Sequence, residues 1–310
     1  MVSSSSLAGH GRPKVVVIMG ATGCGKSRLS IDLASHFRSA EVINSDKMQV
    51  YRGLDITTNK IPWADRRGVR HHLLGSLDPN DGEMTPSQFC FIGHKTISSI
   101  ASRGNLTILV GGSNSFIHAL LADQFDPEAE ARPELRYDCC ILWVHVSPPV
   151  LQKGLPKRVD GMLRMGAFDE LAGYYDLRRT DPGAWAGLRK AIGVREFDRY
   201  FEKYPPLRGH AWGQEDAMER DDDPEREGAY QEALSEIKEN ASQLIRQQIE
   251  KISELSRSGW KLHRLDATKA VQLAMAPEEE GSGGGRSRDV WGLDVVGPSV
   301  KIVNQFLQGN

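Results

Sequence analysis

The chain has 310 residues, 39% hydrophobic and 26% charged, with a formal net charge of -2 and a pI near 6.5. This length allows one sizeable domain with an insertion, or two domains, and the near-neutral charge excludes a global basic field of the kind that tracks nucleic acid. The four cysteines, Cys24, Cys90, Cys139 and Cys140, form no C-x-x-C pair and lie near no histidine pair at zinc spacing, which implies a reducing compartment and no structural metal.

Residues 1–13 read as a disordered start. Met1-Val2-Ser3-Ser4-Ser5-Ser6 is Ser-rich and acid-free like the beginning of a transit peptide, but short for one, so a cytoplasmic protein is expected with the plastid as the alternative. No apolar run approaches the length of a membrane span, and no secretory signal core precedes Val15, so no membrane partner is expected.

The β-branched run Val15-Val16-Val17-Ile18-Met19 then enters Gly20-Ala21-Thr22-Gly23-Cys24-Gly25-Lys26-Ser27, and a helical pattern follows from Arg28. The spacing is G-x-x-x-x-G-K-[ST], a phosphate-binding P-loop in the strand-to-helix context that it requires. In such a loop the glycines let backbone N–H groups converge on an oxyanion, and the helix N-terminus adds positive potential. Lys26 neutralises a phosphate, and the Ser27 hydroxyl is placed to hold Mg²⁺. A chance glycine-rich turn is the rival reading, and the flanking strand and helix argue against it.

Glu41 to Asp46 forms a short strand whose end falls beside the loop, because open α/β sheets gather their sites at strand carboxyl ends. Asp46 therefore reads either as a residue of the chemistry or as a helix cap. The polar stretch Arg52 to Lys60 suits the lining of a cleft. The basic cluster Arg66 to His72 suits a solvated loop, with phosphate contact the minor reading, and leads into a strand-like Leu73 to Leu77. A helix is predicted over Ser87 to Ala101 and a buried strand over Leu106 to Val110, which ends at Gly111-Gly112-Ser113-Asn114-Ser115. Helix from Phe116 and a strand over Tyr137 to Val146 complete an α/β pattern with a mostly parallel sheet.

The middle third is helical, with Lys157-Arg158-Val159-Asp160 readable as a cationic clamp or as an ordinary helix surface. An acidic stretch at 209–228 reads as a mobile insertion. Tyr230 to Ser256 reads as a long amphipathic helix, Trp260 to Asp266 as a strand, 278–288 as a disordered linker, and Val300 to Leu307 as a closing helix. The implied division is a P-loop core at 14–150, a helical substrate-covering domain at 151–258, and a return to the core at 259–310.

These stretches together resemble the isopentenyltransferases, and within them the plant adenylate isopentenyltransferases that make cytokinin precursors. The resemblance rests on Gly20 to Ser27, Asn44 to Tyr51, Leu54 to Lys60, His71 to Gly75, Gly111 to Ile117, Lys157 to Asp160, Arg189 to Val194 and His263 to Thr268, in that order along most of the chain. It implies a P-loop NTPase-like fold with a smaller inserted helical domain. The implied reaction moves a dimethylallyl group from dimethylallyl diphosphate to N6 of ATP, ADP or AMP, with Mg²⁺ as cofactor. By that resemblance Asp46 is the general base, the loop from Gly20 to Ser27 holds the prenyl diphosphate, and Arg158 is a second cation on it. Ser45, Gly111, Gly112 and Ser113 then contribute to substrate binding. Three features depart from the family: His145 where an acid is expected, the lead-in Gln152 to Pro156, and the long acidic insertion. A tRNA-modifying relative, a P-loop kinase and a non-catalytic binding module are the rivals. The absence of a basic field and of late cysteines, and the Gly-Gly-Ser-Asn-Ser form, argue against the tRNA branch, so no nucleic acid partner is expected.

Overall fold

The computed structural model describes residues 11–123, 134–175, 186–206, 220, 222–276 and 283–309. Its β-branched runs become β1 (Lys14–Met19), β2 (Ala40–Asn44), β3 (His71–His72), β4 (Leu106–Val110), β5 (Asp138–His145) and β6 (Leu262–Asp266). These form one six-stranded sheet in the order β3-β2-β4-β1-β5-β6, with every neighbouring pair parallel. Helices cover both faces, which is why β1 is apolar at every position after Lys14: Val15, Val17 and Met19 enter one core and Val16 and Ile18 the other.

The first core lies under α2 (Pro86–Ser102) and α3 (Asn114–Leu121). Thr85 and Gln88 form a reciprocal capping box that fixes the start of α2. The same core continues into α4 (Pro148–Arg164), α5 (Ala167–Tyr174), α6 (Val194–Lys203) and α7 (Pro224–Arg257), so the helical region is packed onto the sheet layer. Phe168, Phe197, Tyr200, Phe201 and Tyr230 form its aromatic centre. Full burial of one such phenylalanine contributes roughly 1.5–3 kcal/mol. The second core lies under α1 (Lys26–His36), α8 (Thr268–Met275), α9 (Gly283–Trp291) and α10 (Gly297–Gln308), a π-helical turn at Gly292–Val296 joining the last two. Among the described residues no helix is long and apolar enough to cross a membrane.

Three elements differ from the sequence reading. The strand expected over Leu73 to Leu77 stops at His72, because Leu73 turns the chain through a φ of 57° and Gly75 then donates to the Gln49 carbonyl. The acidic stretch at 209–228 is partly helical: Asp223 accepts from the backbone N–H groups of Glu225 and Arg226 and starts α7 at Pro224, while 209–219 and 221 lie outside the described residues. The linker expected at 278–288 is helix from Gly283, held by Ser287, whose hydroxyl donates to the Ala270 carbonyl at 3.1 Å; residues 277–282 lie outside the described residues, as do 1–10.

Candidate active site

The phosphate loop leaves the carboxyl end of β1 and enters α1 through Gly25, whose φ of 94° is open to glycine and strained for other residues. No side chain caps α1, so the N–H groups of its first turn remain available to an anion. Lys26 folds back and donates to the Ala21 carbonyl at 2.7 Å, a contact that a phosphate can replace. Thr22, Gly23, Gly25, Lys26 and Ser27 line a cavity of about 230 Å³ with Asp46 and Arg158. Gly20, Ala21 and Cys24 are buried behind them and do not line it. Ser27 is exposed at the helix start, and no cluster of three His, Cys, Asp or Glu suited to a metal occurs among the described residues. One hydroxyl beside a phosphate cradle fits Mg²⁺, which takes few protein ligands and completes its shell with phosphate oxygens and water.

Asp46 lies two residues beyond β2, and its two carboxylate oxygens have different surroundings. Oδ1 accepts from the N–H groups of Met48 at 2.9 Å and Gln49 at 3.3 Å, the capping geometry for the turn that follows. Oδ2 faces Gly112, where an added Cβ would stand 3.8 Å away. Ser113 accepts from the Lys47 N–H through its hydroxyl at 2.9 Å, so the ends of β2 and β4 are tied together. Ser45, expected to contribute to substrate binding, lines neither this cavity nor the larger one that adjoins it. It is 0% exposed, its hydroxyl has no hydrogen-bond partner among the described residues, and Gly111 packs so closely over it that an added Cβ would lie 2.3 Å from its Oγ. Ser45 thus supports the Gly111 turn from below, while Gly111 and Gly112 face the phosphate cavity.

Two residues from the helical region complete the phosphate end. Gln248 on α7 accepts from the Thr22 N–H at 2.8 Å and donates to the Gly112 carbonyl at 3.1 Å, bridging the phosphate loop to the β4 turn. The sequence reading missed it. Arg158 on α4 reaches the Thr22 hydroxyl at 3.4 Å; burial pushes its guanidinium pKa down, and the nearby Cys24 and Asp46 oppose that shift. Its neighbour Lys157 takes no part, since it donates to the Met275 carbonyl at 2.6 Å and holds α4 against α8.

A second cavity, of about 390 Å³, shares Thr22, Asp46, Gly112, Arg158 and Gln248 with the first. Leu155, Val159, Met162, Phe197 and Ile237 give it an apolar wall, and Thr57, Thr58, Asn59, Lys190 and Lys251 a polar one. The polar wall is itself braced. Gln49 donates to the Thr58 and Asn59 carbonyls, each at 3.1 Å, and Glu170 on α5 accepts from the N–H groups of Ile56 and Thr57 and from the Thr57 hydroxyl. The basic cluster lies elsewhere: Arg67 pairs with Asp32, and Arg70 and His72 pair with Glu41. His145 packs beside Arg264 and Asp266, with its pKa lowered by burial and by Arg264, and lines neither cavity. Asp46 therefore stands where an anion cradle meets an apolar-walled chamber.

A family model described as IPP transferase matches residues 49–136 and 123–253. An adenylate isopentenyltransferase of Humulus lupulus is 52% identical over 304 residues, covering 94% of this chain and 89% of that protein. The chloroplastic adenylate isopentenyltransferase 8 of Arabidopsis thaliana is 50% identical over 304 residues, covering 96% and 86%. Among solved structures, a eukaryotic dimethylallyltransferase acting on tRNA superposes with a TM-score of 0.73 at 23% identity, over 96% of this chain and 80% of that one. A tRNA isopentenylpyrophosphate transferase of Staphylococcus epidermidis gives 0.64 at 20% identity, over 90% and 98%.

Proposed function

The chain belongs to the IPP transferase family, and we propose that it is an adenylate dimethylallyltransferase, moving the dimethylallyl group of dimethylallyl diphosphate to N6 of ATP, ADP or AMP. Relatives named adenylate isopentenyltransferase, about half identical along nearly the whole chain, support that substrate pair. The observation that carries the reading is Asp46 Oδ2, which makes no hydrogen bond among the described residues, at the junction of the two cavities.

The chemistry follows from that junction. Lys26, Arg158 and the α1 N-terminus hold the diphosphate of the donor, and the apolar wall takes its five-carbon chain. The N6 lone pair forms the new C–N bond as the C1–O bond breaks, and the electron pair leaves on diphosphate. Lys26, once it exchanges the Ala21 carbonyl for phosphate, and Arg158 beside it stabilise the charge that develops on that oxygen. An exocyclic aromatic amine is a poor nucleophile, and Asp46 Oδ2 accepts its proton as the bond forms. Mg²⁺ held at Ser27 would add Lewis-acid stabilisation of the diphosphate. Lys251 in the polar wall provides a cationic partner for the phosphates of the acceptor, whereas Lys190 there is already paired with Glu83.

Fold likeness to enzymes acting on tRNA leaves an RNA acceptor as the competing reading. Incubation with dimethylallyl diphosphate and, separately, AMP, ADP, ATP and tRNA, followed by mass detection of the prenylated product, tests both. Product on a free nucleotide is expected. Product on tRNA alone would overturn the proposal. Relatives named chloroplastic support the plastid over the cytoplasm as its location, which a fluorescent fusion checks.

A further inference from the structure

The phosphate loop is also supported from outside its cavity. Trp291, at the end of α9, is 3% exposed and packs against the loop's last glycine: a Cβ on Gly25 would come within 2.6 Å of the ring atom Cη2 and 2.9 Å of Cζ3. Two contacts fix the ring there. Its Nε1–H donates to Asp32 Oδ2 at 2.9 Å, and the Arg28 guanidinium stands 4.6 Å from the ring centroid. Asp32 is held in turn by Arg67, which donates to its Oδ1 at 3.0 Å. Gly25, Arg28 and Asp32 follow the i, i+3, i+7 spacing, so the indole is gripped by one face of the opening turns of α1.

That placement bears on anion binding. A loop with glycines at 20, 23 and 25 has many backbone conformations open to it, and only a few converge its N–H groups on a phosphate. Gln248 holds Thr22 from the helical side, and Trp291 closes the space into which Gly25 would relax. Resting on the reading that this loop binds dimethylallyl diphosphate, we propose that Trp291 is a positioning residue for that substrate, holding the loop in its anion-binding form. A ring that merely fills the second core would affect stability and spare the selectivity between substrates.

The test compares Trp291→Ala and Trp291→Phe with the wild type by direct binding of dimethylallyl diphosphate and ADP, KM for each, and thermal unfolding. Trp291→Ala is expected to raise Kd and KM for dimethylallyl diphosphate by about 10-fold or more, given the sensitivity of oriented sites to small displacements. KM for the nucleotide should stay within about twofold. Trp291→Phe keeps an aromatic ring in the second core but lacks both the Nε1–H and the Cη2, Cζ3 and Cζ2 atoms that reach Gly25, so it should unfold closer to the wild type while keeping most of the loss of prenyl diphosphate affinity. If Trp291→Ala does not fold, Asp32→Ala, which releases the ring's orientation, should show a smaller shift confined to the same substrate. A folded Trp291→Ala with unchanged prenyl diphosphate affinity, or an equal loss for both substrates, would overturn the proposal. So would an unaffected Asp32→Ala where the alanine variant fails to fold. By contrast, a Lys26→Ala enzyme that binds dimethylallyl diphosphate as the wild type does would sink the underlying phosphate-loop reading.

Discussion

The two oxygens of Asp46 separate the cap reading from the base reading. Because Oδ1 accepts both turn N–H groups and Oδ2 faces Gly112, Asp46→Asn should preserve the turn: Asn caps about as well as Asp and can present its carbonyl to Met48 and Gln49. Binding of both substrates should stay near normal, while turnover falls roughly 10²-fold or more through loss of general-base catalysis. Steady-state transfer with both binding constants checks this, and a near wild-type rate would exclude the base. Lys26→Ala should act differently, raising KM for dimethylallyl diphosphate while leaving the melting temperature nearly unchanged, because among the described residues the ammonium hydrogen-bonds only the Ala21 carbonyl. Asp46 was legible because a carboxylate just past a strand end, beside a P-loop, has a site to serve. Ser45 has the same signal one residue earlier. Only the packing of Gly111 over it, which no spacing encodes, removes it from the ligand's reach.

At the scale of elements, α7 is the piece that ties the helical region to the chemistry. Its apolar stripe reads as core, and most of it is, but Gln248 stands on the same face between Ile245 and Ile252 and is also buried. A polar residue in that register was the available signal, and its partners on the phosphate loop and the β4 turn were not. Gln248→Leu keeps the helix and the volume but leaves the Thr22 N–H and the Gly112 carbonyl without this partner, at about 1–3 kcal/mol for each group that stays unsatisfied. A lower melting temperature and a raised KM for dimethylallyl diphosphate are expected; an enzyme with both quantities unchanged would remove the bridge from the site. Helix α9 was illegible for a different reason. A Gly283-Gly284-Gly285 start opposes helix by propensity, and the element is stabilised by tertiary contacts of Ser287 and Trp291 with distant segments. The core strands read correctly from sequence because burial on both faces leaves continuous apolar runs.

The whole molecule separates stability from chemistry along the strands. All six are parallel, so their carboxyl ends carry the site, while the amino-terminal side of β2 carries a buried ionic hub at Glu41. Glu41 joins three neighbouring strands: it bonds His72 on β3, and Arg103 and Asn105 just before β4. Burial alone would raise its pKa, but the hydrogen bonds from His72, Arg103 and Asn105 outweigh burial and lower it from 4.5 to about 2. A carboxylate whose folded pKa lies below its unfolded one stabilises the fold above the unfolded value. That contribution, about 3 kcal/mol by linkage, is therefore present above pH 4.5 and is lost as pH falls toward 2. Glu41→Gln keeps the shape and removes the charge, so it should be less stable than the wild type at neutral pH, with the gap narrowing as the wild-type carboxylate protonates. Urea unfolding of both proteins at pH 7 and pH 3 measures the two gaps. A gap of the same size at both pH values would show that the charge on Glu41 contributes nothing. Because the hub lies at the other end of the strands from Asp46, turnover per folded molecule at neutral pH should match the wild type, and a loss there would mean the two ends are coupled.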